Sequence, residues 1–232
     1  MKRYLGGLFI ALLAGAATAA SPASVHATYD LFRDGFHIAT VDERFVKNGD
    51  KYEIVSATDP AGLLKKLVRA QVRVHSTGIV TKTGLRPQNF DYARLDDASK
   101  NVKAAFDWNA LKLRMAFEGR EETAALTPGT QDRLSIMYQF MFMPTEKLDS
   151  LSFPMTNGKK IEPYRYRLTG RETLETPMGK LNTLHLVKQR EEGDNTVEVW
   201  LAAERSHIPV KVLIIENDGV RYEQVITRLE LK

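Results

Sequence analysis

From Val25 onward, apolar and polar residues alternate in short runs, and four of the gaps between runs hold Asp34-Gly35, Asn48-Gly49, Asn157-Gly158 and Asp218-Gly219. A period of two sends successive side chains to opposite faces of a strand. Asp-Gly and Asn-Gly accept the positive φ values that tight hairpin turns require. The pattern therefore predicts a meander of antiparallel strands. Further strand-like runs lie at 67–75, 79–83, 90–95, 102–108 and 111–117, and then at 164–168, 181–189, 197–202, 209–215 and 220–231.

Pairing residues across the first two turns predicts which faces are buried. A two-residue loop at Asp34-Gly35 sets Arg33 opposite Phe36, Leu31 opposite Ile38 and Tyr29 opposite Thr40, so that Ala27, Tyr29, Leu31, Phe36 and Ile38 form the inner face. A two-residue loop at Asn48-Gly49 sets Phe45 beside Tyr52 and Arg44 beside Glu53, an aromatic pair and an opposite-charge pair.

The period changes at 131–143, where Leu134, Met137, Tyr138 and Met141 fall at the i, i+3, i+4, i+7 spacing of one helix face. Thr130 or Asp132 can cap the start of this helix and Pro144 ends it. A second, shorter helix or turn is expected at 61–67, behind Pro60. No Pro- or Gly-rich linker divides the chain, so residues 21–232 read as one domain.

Residues 1–20 read as a secretory signal: Lys2 and Arg3, then an apolar stretch from Leu5 to Ala14 too short to span a bilayer, then Ala17-Thr18-Ala19 for cleavage after Ala19 or Ala20. The chain has no cysteine, which rules out both disulfide staples and the lipidated cysteine of a bacterial lipoprotein. The expected location is the periplasm, in solution, with no membrane span after signal cleavage. Without Lys2 and Arg3, 31 of the 33 basic residues remain and nearly balance the 29 acidic ones, so nothing favours a nucleic-acid partner.

Catalytic patterns are scarce. The five histidines, His26, His37, His75, His185 and His207, form no close pair at metal-ligand spacing. His26 and His37 share a face of the predicted first hairpin but lie roughly 20 Å apart at the ~3.4 Å rise of a strand. Gly-x-Ser-x-Gly is absent, Ser206-His207 sit in a turn before Pro209, and no phosphate-binding Gly-rich loop occurs. The acidic clusters Arg120-Glu121-Glu122 and Glu191-Glu192-Gly193-Asp194 read as solvated faces or loops. No catalytic residue, metal ligand or cofactor is implied.

The least ordinary stretch is Ile136 to Met143, apolar almost all the way round a helix. Such a helix must be covered on more than one side. It forms either plain core inside the sheet or, in part, the lining of a cavity for an acyl chain, with Met137, Phe140, Met141 and Phe142 as lining and the Tyr138 hydroxyl at the rim. Trp200 stands on the strand face opposite Val197, Val199 and Leu201, so something must cover one of those faces.

Four motifs carry a family resemblance: Gly84-Leu85-Arg86-Pro87, Asp132-Arg133-Leu134-Ser135 with Tyr138, Thr176-Pro177-Met178-Gly179, and Trp200-Leu201 followed by Pro209-Val210-Lys211-Val212. In this ordered set the chain resembles the DUF3108 family of exported proteobacterial envelope proteins. The resemblance implies an all-β exported protein with no assigned activity and no known catalytic residues. In outline the chain is also similar to the half-open barrels of periplasmic lipoprotein carriers, a likeness of fold only.

The expected architecture is mainly β: one strongly curved antiparallel sheet, half-open or barrel-like, around one central helix, with a short second helix. The leading functional expectation is a non-enzymatic carrier of a lipid or other apolar ligand. The alternatives are an envelope interaction module that uses Trp200 or a sheet edge to dock another protein, and a hydrolase with dispersed carboxylates.

Overall fold

The computed structural model describes residues 21–62, 64–67, 71–143 and 150–232; the expected signal, residues 1–20, and Pro144 lie outside them. Among the described residues no helix is long and apolar enough to cross a membrane.

The first half of the chain forms β1 (Ser24–Arg33), β2 (Phe36–Asn48), β3 (Lys51–Pro60), β4 (Val72–Thr81), β5 (Gly84–Arg94), β6 (Val102–Asp107), β7 (Lys112–Phe117) and β8 (Arg120–Ala125). The second half forms β9 (Gln131–Asp132), β10 (Ser150–Thr156), β11 (Ile161–Thr176), β12 (Gly179–Lys188), β13 (Thr196–Ala202), β14 (Pro209–Ile215) and β15 (Arg221–Leu231). All belong to a single sheet of 15 strands in the order β8-β7-β6-β5-β4-β3-β2-β1-β15-β14-β13-β12-β11-β10-β9. Each half is a meander, and the halves join where the first strand pairs with the last, Val25 opposite Leu231. Every pairing is antiparallel except β9 with β10.

This order has a topological consequence. The chain passes from β8 at one edge to β9 at the opposite edge through residues 126–130 alone. β9 then pairs in parallel with β10, and a parallel pair needs a crossover between its strands. This crossing segment carries a helix, Ser135–Gln139, continued by a tighter turn at Phe140–Phe142. Its side chains enter both apolar clusters. Leu134, Tyr138 and Met141 join the one centred on β1–β7, and Ile136 and Phe140 join the one built on β10–β13.

The helix is shorter than the spacing predicts. Gln131 and Asp132 pair with Met155 and Thr156 as a strand instead of opening the helix. Asp132 rather than Thr130 prepares the helix start: its Oδ1 accepts the main-chain N–H of Leu134 at 2.9 Å and of Ser135 at 2.7 Å. The Thr130 hydroxyl donates to the Thr127 carbonyl at 2.7 Å. At 61–67 there is one helical turn, Leu64–Leu67.

All four dipeptides lie at turns between paired strands, but the register differs from expectation by one residue along the first hairpin and by two at the second. In β2 the chain bulges at Ile38, so Leu31 faces Ala39 and Tyr29 faces Val41. Ala39 and Val41 therefore take the buried positions, Ile38 is only partly buried, and Phe36 is 75% exposed at the hairpin tip. At the second turn Asn48 pairs with Lys51, placing Phe45 opposite Ile54 and Arg44 opposite Val55. The Phe45 and Tyr52 rings still stack, diagonally, at 6.3 Å. Arg44 bonds Asp42 instead, and Glu53 bonds His75.

Parts of the runs at 67–75 and 79–83 form one strand, β4, which passes through Gly78; Leu67 ends the helical turn, 82–83 lie in the turn to β5, and 68–70 lie outside the described residues. A Cβ there would lie 2.2 Å from the Arg86 carbonyl oxygen, so only glycine lets β5 bulge past it. The cluster Arg120-Glu121-Glu122, expected as a solvated face, is solvated within a strand. It opens β8, an edge whose charges discourage pairing with another chain.

Candidate functional site

The crossing segment is held by polar contacts of a kind rare in an apolar interior. Gln139 Oε1 accepts the N–H of Leu85 at 2.7 Å, and Gln131 Nε2 donates to the Leu85 carbonyl at 2.9 Å. Leu85 pairs with β4 on one side, while β6 pairs with β5 only from Asn89 to Tyr92. Two glutamine side chains thus stand in for a missing strand neighbour. Gly84 makes this possible: its φ is +110°, and a Cβ would come within 2.3 Å of the Gln139 amide. Two of the sequence motifs, the one at Gly84 and the one at Asp132, meet here.

Beside them two buried carboxylates anchor the segment to the sheet. Ser76 donates to Asp132 Oδ2 at 2.6 Å, and Tyr52 lies 3.2 Å from the Ser76 hydroxyl. Glu43 receives the hydroxyls of Tyr138 and Ser56, each at 3.1 Å. Burial raises both carboxyls above their ordinary range, and the hydrogen bonds only partly oppose it. Glu43 points inward, between Val41 and Phe45, because the bulge at Ile38 moves the inner face of β2 by one residue. His207 adds a further tie: it lies half-buried after a turn and engages the backbone of Phe140 and Met143, with burial pushing its imidazole down.

Between the helix and strands β10–β14 lies a cavity of about 360 Å³. Its apolar wall is made by Ile136, Met137, Met155, Val197, Val212 and Ile214, and Tyr166 also lines it. The Tyr166 ring is fully buried, yet its hydroxyl has no hydrogen-bond partner among the described residues. Charged side chains surround the opening: Arg133, Lys160, Glu162, Lys188 and Asp194. Lys188 bonds Asp194 at 2.7 Å and lies over the Tyr164 ring, and Lys160 bonds Glu162 at 2.7 Å. Arg133 is exposed and has no acidic partner among the described residues; its guanidinium rests 5.7 Å from the Tyr92 ring centre.

Of the five residues expected to line a pocket, Met137 does line this cavity. Tyr138 is 2% exposed rather than at a rim, stacked on Phe45 at 5.5 Å with its hydroxyl committed to Glu43. Phe140 packs edge-on against Phe153 and Tyr166 in the core. Met141 is buried, and Phe142 meets the edge of Phe45 at 6.5 Å. The residues that sequence reasoning missed, Arg133, Tyr166 and Lys188, come from distant segments. Only a correct strand order brings them together.

Elsewhere the chemistry is structural. His26 bonds Asp42 at 2.6 Å and His37 lies 3.2 Å from Asp30. Among the described residues no three His, Asp or Glu side chains converge as a metal site. Thr169, His185 and Glu198 stand in the sequence of a nucleophile, base and acid, at 3.1 and 2.8 Å. The Thr169 hydroxyl, however, donates to the His185 carbonyl at 3.1 Å, and the imidazole lies flat on Trp200 at 4.2 Å. Trp200 itself is covered by His185 and Lys211 and donates its indole N–H to Glu172, so it is not a free docking side chain.

Among solved structures, the chain is similar to a β-barrel-like protein of the domain of unknown function DUF1849 from Brucella abortus. The TM-score is 0.58 with 10% identity, covering 92% of this chain and 99% of that one. Two further likenesses are weaker. One is to a candidate lipoprotein from Parabacteroides distasonis (TM-score 0.34, 8% identity, 90% and 95% covered), the other to an exported-protein candidate with YmcC-like fold from Bacteroides fragilis (TM-score 0.33, 10% identity, 90% and 96% covered). No curated protein matches the sequence. The family model for DUF3108, a protein of unknown function, matches residues 25–225, and the chain belongs to that family.

Proposed function

We propose that this protein is a non-enzymatic carrier or binding protein for an apolar ligand in a Gram-negative envelope. It is exported by residues 1–20 and works in the periplasm as one domain, residues 21–232, without a lipid anchor. The observation that carries this reading is the cavity beside Met137. It is concave, with an apolar wall beneath a charged rim, and at the lower end of the roughly 300–1,000 Å³ of small-molecule sites. Met137 is flexible and only half-buried, which suits a wall that adapts to an acyl chain.

Contacts between distant strands support a sheet curled toward a half-barrel around the helix. Lys159, in the β10–β11 turn, bonds Glu118 next to β8 at 2.6 Å. Gly158 sits so close to Val102 that a Cβ would lie 2.3 Å from its Cγ1. The barrel-like relative from Brucella has the same character of fold.

Native mass spectrometry of gently purified periplasmic protein tests the reading. A co-purifying lipid mass, together with uptake of Nile red, is expected in the natural chain and lost in a folded Met137→Asp variant. Protein that arrives empty and takes up no Nile red would overturn it. A second reading, docking to an envelope protein, rests on Phe36, 75% exposed at the β1–β2 tip. It predicts a partner lost on Phe36→Ala and unaffected by Met137→Asp.

A further inference from the structure

Resting on the carrier reading, we infer that the cavity takes an anionic amphiphile: an alkyl chain against Met137 and its apolar neighbours, with a carboxylate or phosphate head at Arg133. Three features of the site point this way.

The first is charge. The lining has three cations, Arg133, Lys160 and Lys188, against two acids, Glu162 and Asp194. Each acid is already engaged by a lysine at 2.7 Å. Arg133 is left as the surplus positive group, with the Tyr92 ring face beside it and no acidic partner among the described residues. A guanidinium offers a planar fork of donors that matches carboxylate or phosphate.

The second is the Tyr166 hydroxyl. A buried polar group without a partner costs about 1–3 kcal/mol, and such groups in native proteins are uncommon enough to require a reason. Tyr166 belongs to the wall of the same cavity, and a ligand oxygen that displaced enough of that wall to reach the buried hydroxyl would supply the missing partner.

The third is the arrangement. Arg133 stands on the crossing segment just before the helix that carries Met137, so the polar and apolar parts of the site share one short element. A head on Arg133 places the following hydrocarbon beside Met137. A neutral lipid would leave the guanidinium unused.

Displacement of Nile red by three ligands of equal chain length tests this: dodecanoate, dodecyl phosphate and dodecanol. At low salt at least one anionic ligand should compete about tenfold better than dodecanol, as one good charge-assisted contact gives. The advantage should shrink as salt rises. In Arg133→Gln the advantage should vanish while dodecanol is unchanged, and Arg133→Lys should restore part of it. Tyr166→Phe should weaken binding of the preferred ligand without lowering the unfolding midpoint, because no protein partner is lost.

Whether dodecanoate or dodecyl phosphate leads identifies the head. Equal competition by all three ligands, or an anion preference that survives Arg133→Gln, overturns the inference while leaving the carrier reading intact. If Nile red itself does not bind, both fall.

Discussion

Tyr138 shows how one hydroxyl can hold a long connection in place. Its ring stacks on Phe45 and its O–H reaches Glu43, two residues of β2, from the middle of the crossing helix. Tyr138→Phe keeps the stacking and leaves Glu43 with Ser56 alone. The expected cost is about 1–3 kcal/mol, read as a lower midpoint in urea with an unchanged slope; no change would mean that Glu43 finds another partner. Glu43 also gives the fold a pH dependence. Burial raises the carboxyls of both Glu43 and Asp132 in the folded chain, so above about pH 4, where unfolded carboxyls release their protons, the folded state still holds them. The folded chain then binds more protons than the unfolded one, and stability falls as pH climbs from that point through the raised values. Exposed acids such as Asp96, Asp97 and Glu118 are shifted down and contribute in the opposite sense. Comparison with Glu43→Gln isolates the buried group: the variant should lose less stability between pH 4 and pH 7 than the natural chain. Parallel curves would sink this assignment.

The crossing helix was legible in the sequence as an apolar stretch that needs cover on several sides, and Ile136 and Tyr138 do enter different clusters. Its true start was not legible, because Gln131 and Asp132 are recruited by β10, a strand built from Ser150–Thr156 that the alternation did not reveal. Pro154 and two serines weaken the apolar signal there. Nor did the spacing indicate that Gln131 and Gln139 would serve β5. The two lie eight positions apart on either side of the helix start, and their common target, Leu85, lies in the other half of the chain. Gln139→Ala would leave the buried Leu85 N–H unmatched, with an expected loss of about 1–3 kcal/mol. Its amide hydrogen should then exchange faster than those of Phe90 and Ala93, which lie further along β5. Unchanged protection at Leu85 would show that water or another group replaces the glutamine. The pocket was legible only at Met137, since Arg133, Tyr166 and Lys188 converge through strand order rather than through spacing.

At the scale of the molecule, the meander was readable because each hairpin is local: Asp34-Gly35, Asn48-Gly49, Asn157-Gly158 and Asp218-Gly219 all sit in turns between neighbours. The bulge at Ile38 was not readable, and it moved the inner face of β2 by one residue. The pairing that unites the two meanders has no local signal at all. β1 and β15 are neighbours although residues 34–220 separate them in sequence, and Ser24 and Lys232 exchange main-chain hydrogen bonds at 2.9 and 3.0 Å. Closing a loop of this length costs conformational entropy before any contact repays it, which slows folding. Joining the ends of residues 21–232 by a short Gly-Ser linker removes that cost without touching the core. The cyclised chain should be about 2–4 kcal/mol more stable than the open one. If β1 and β15 pair before the barrier is crossed, the gain appears in the refolding rate and the unfolding rate stays put. A gain confined to unfolding would mean that the two meanders form separately and join last. No gain in either rate would show that the first and last strands are not the seam on which the sheet depends.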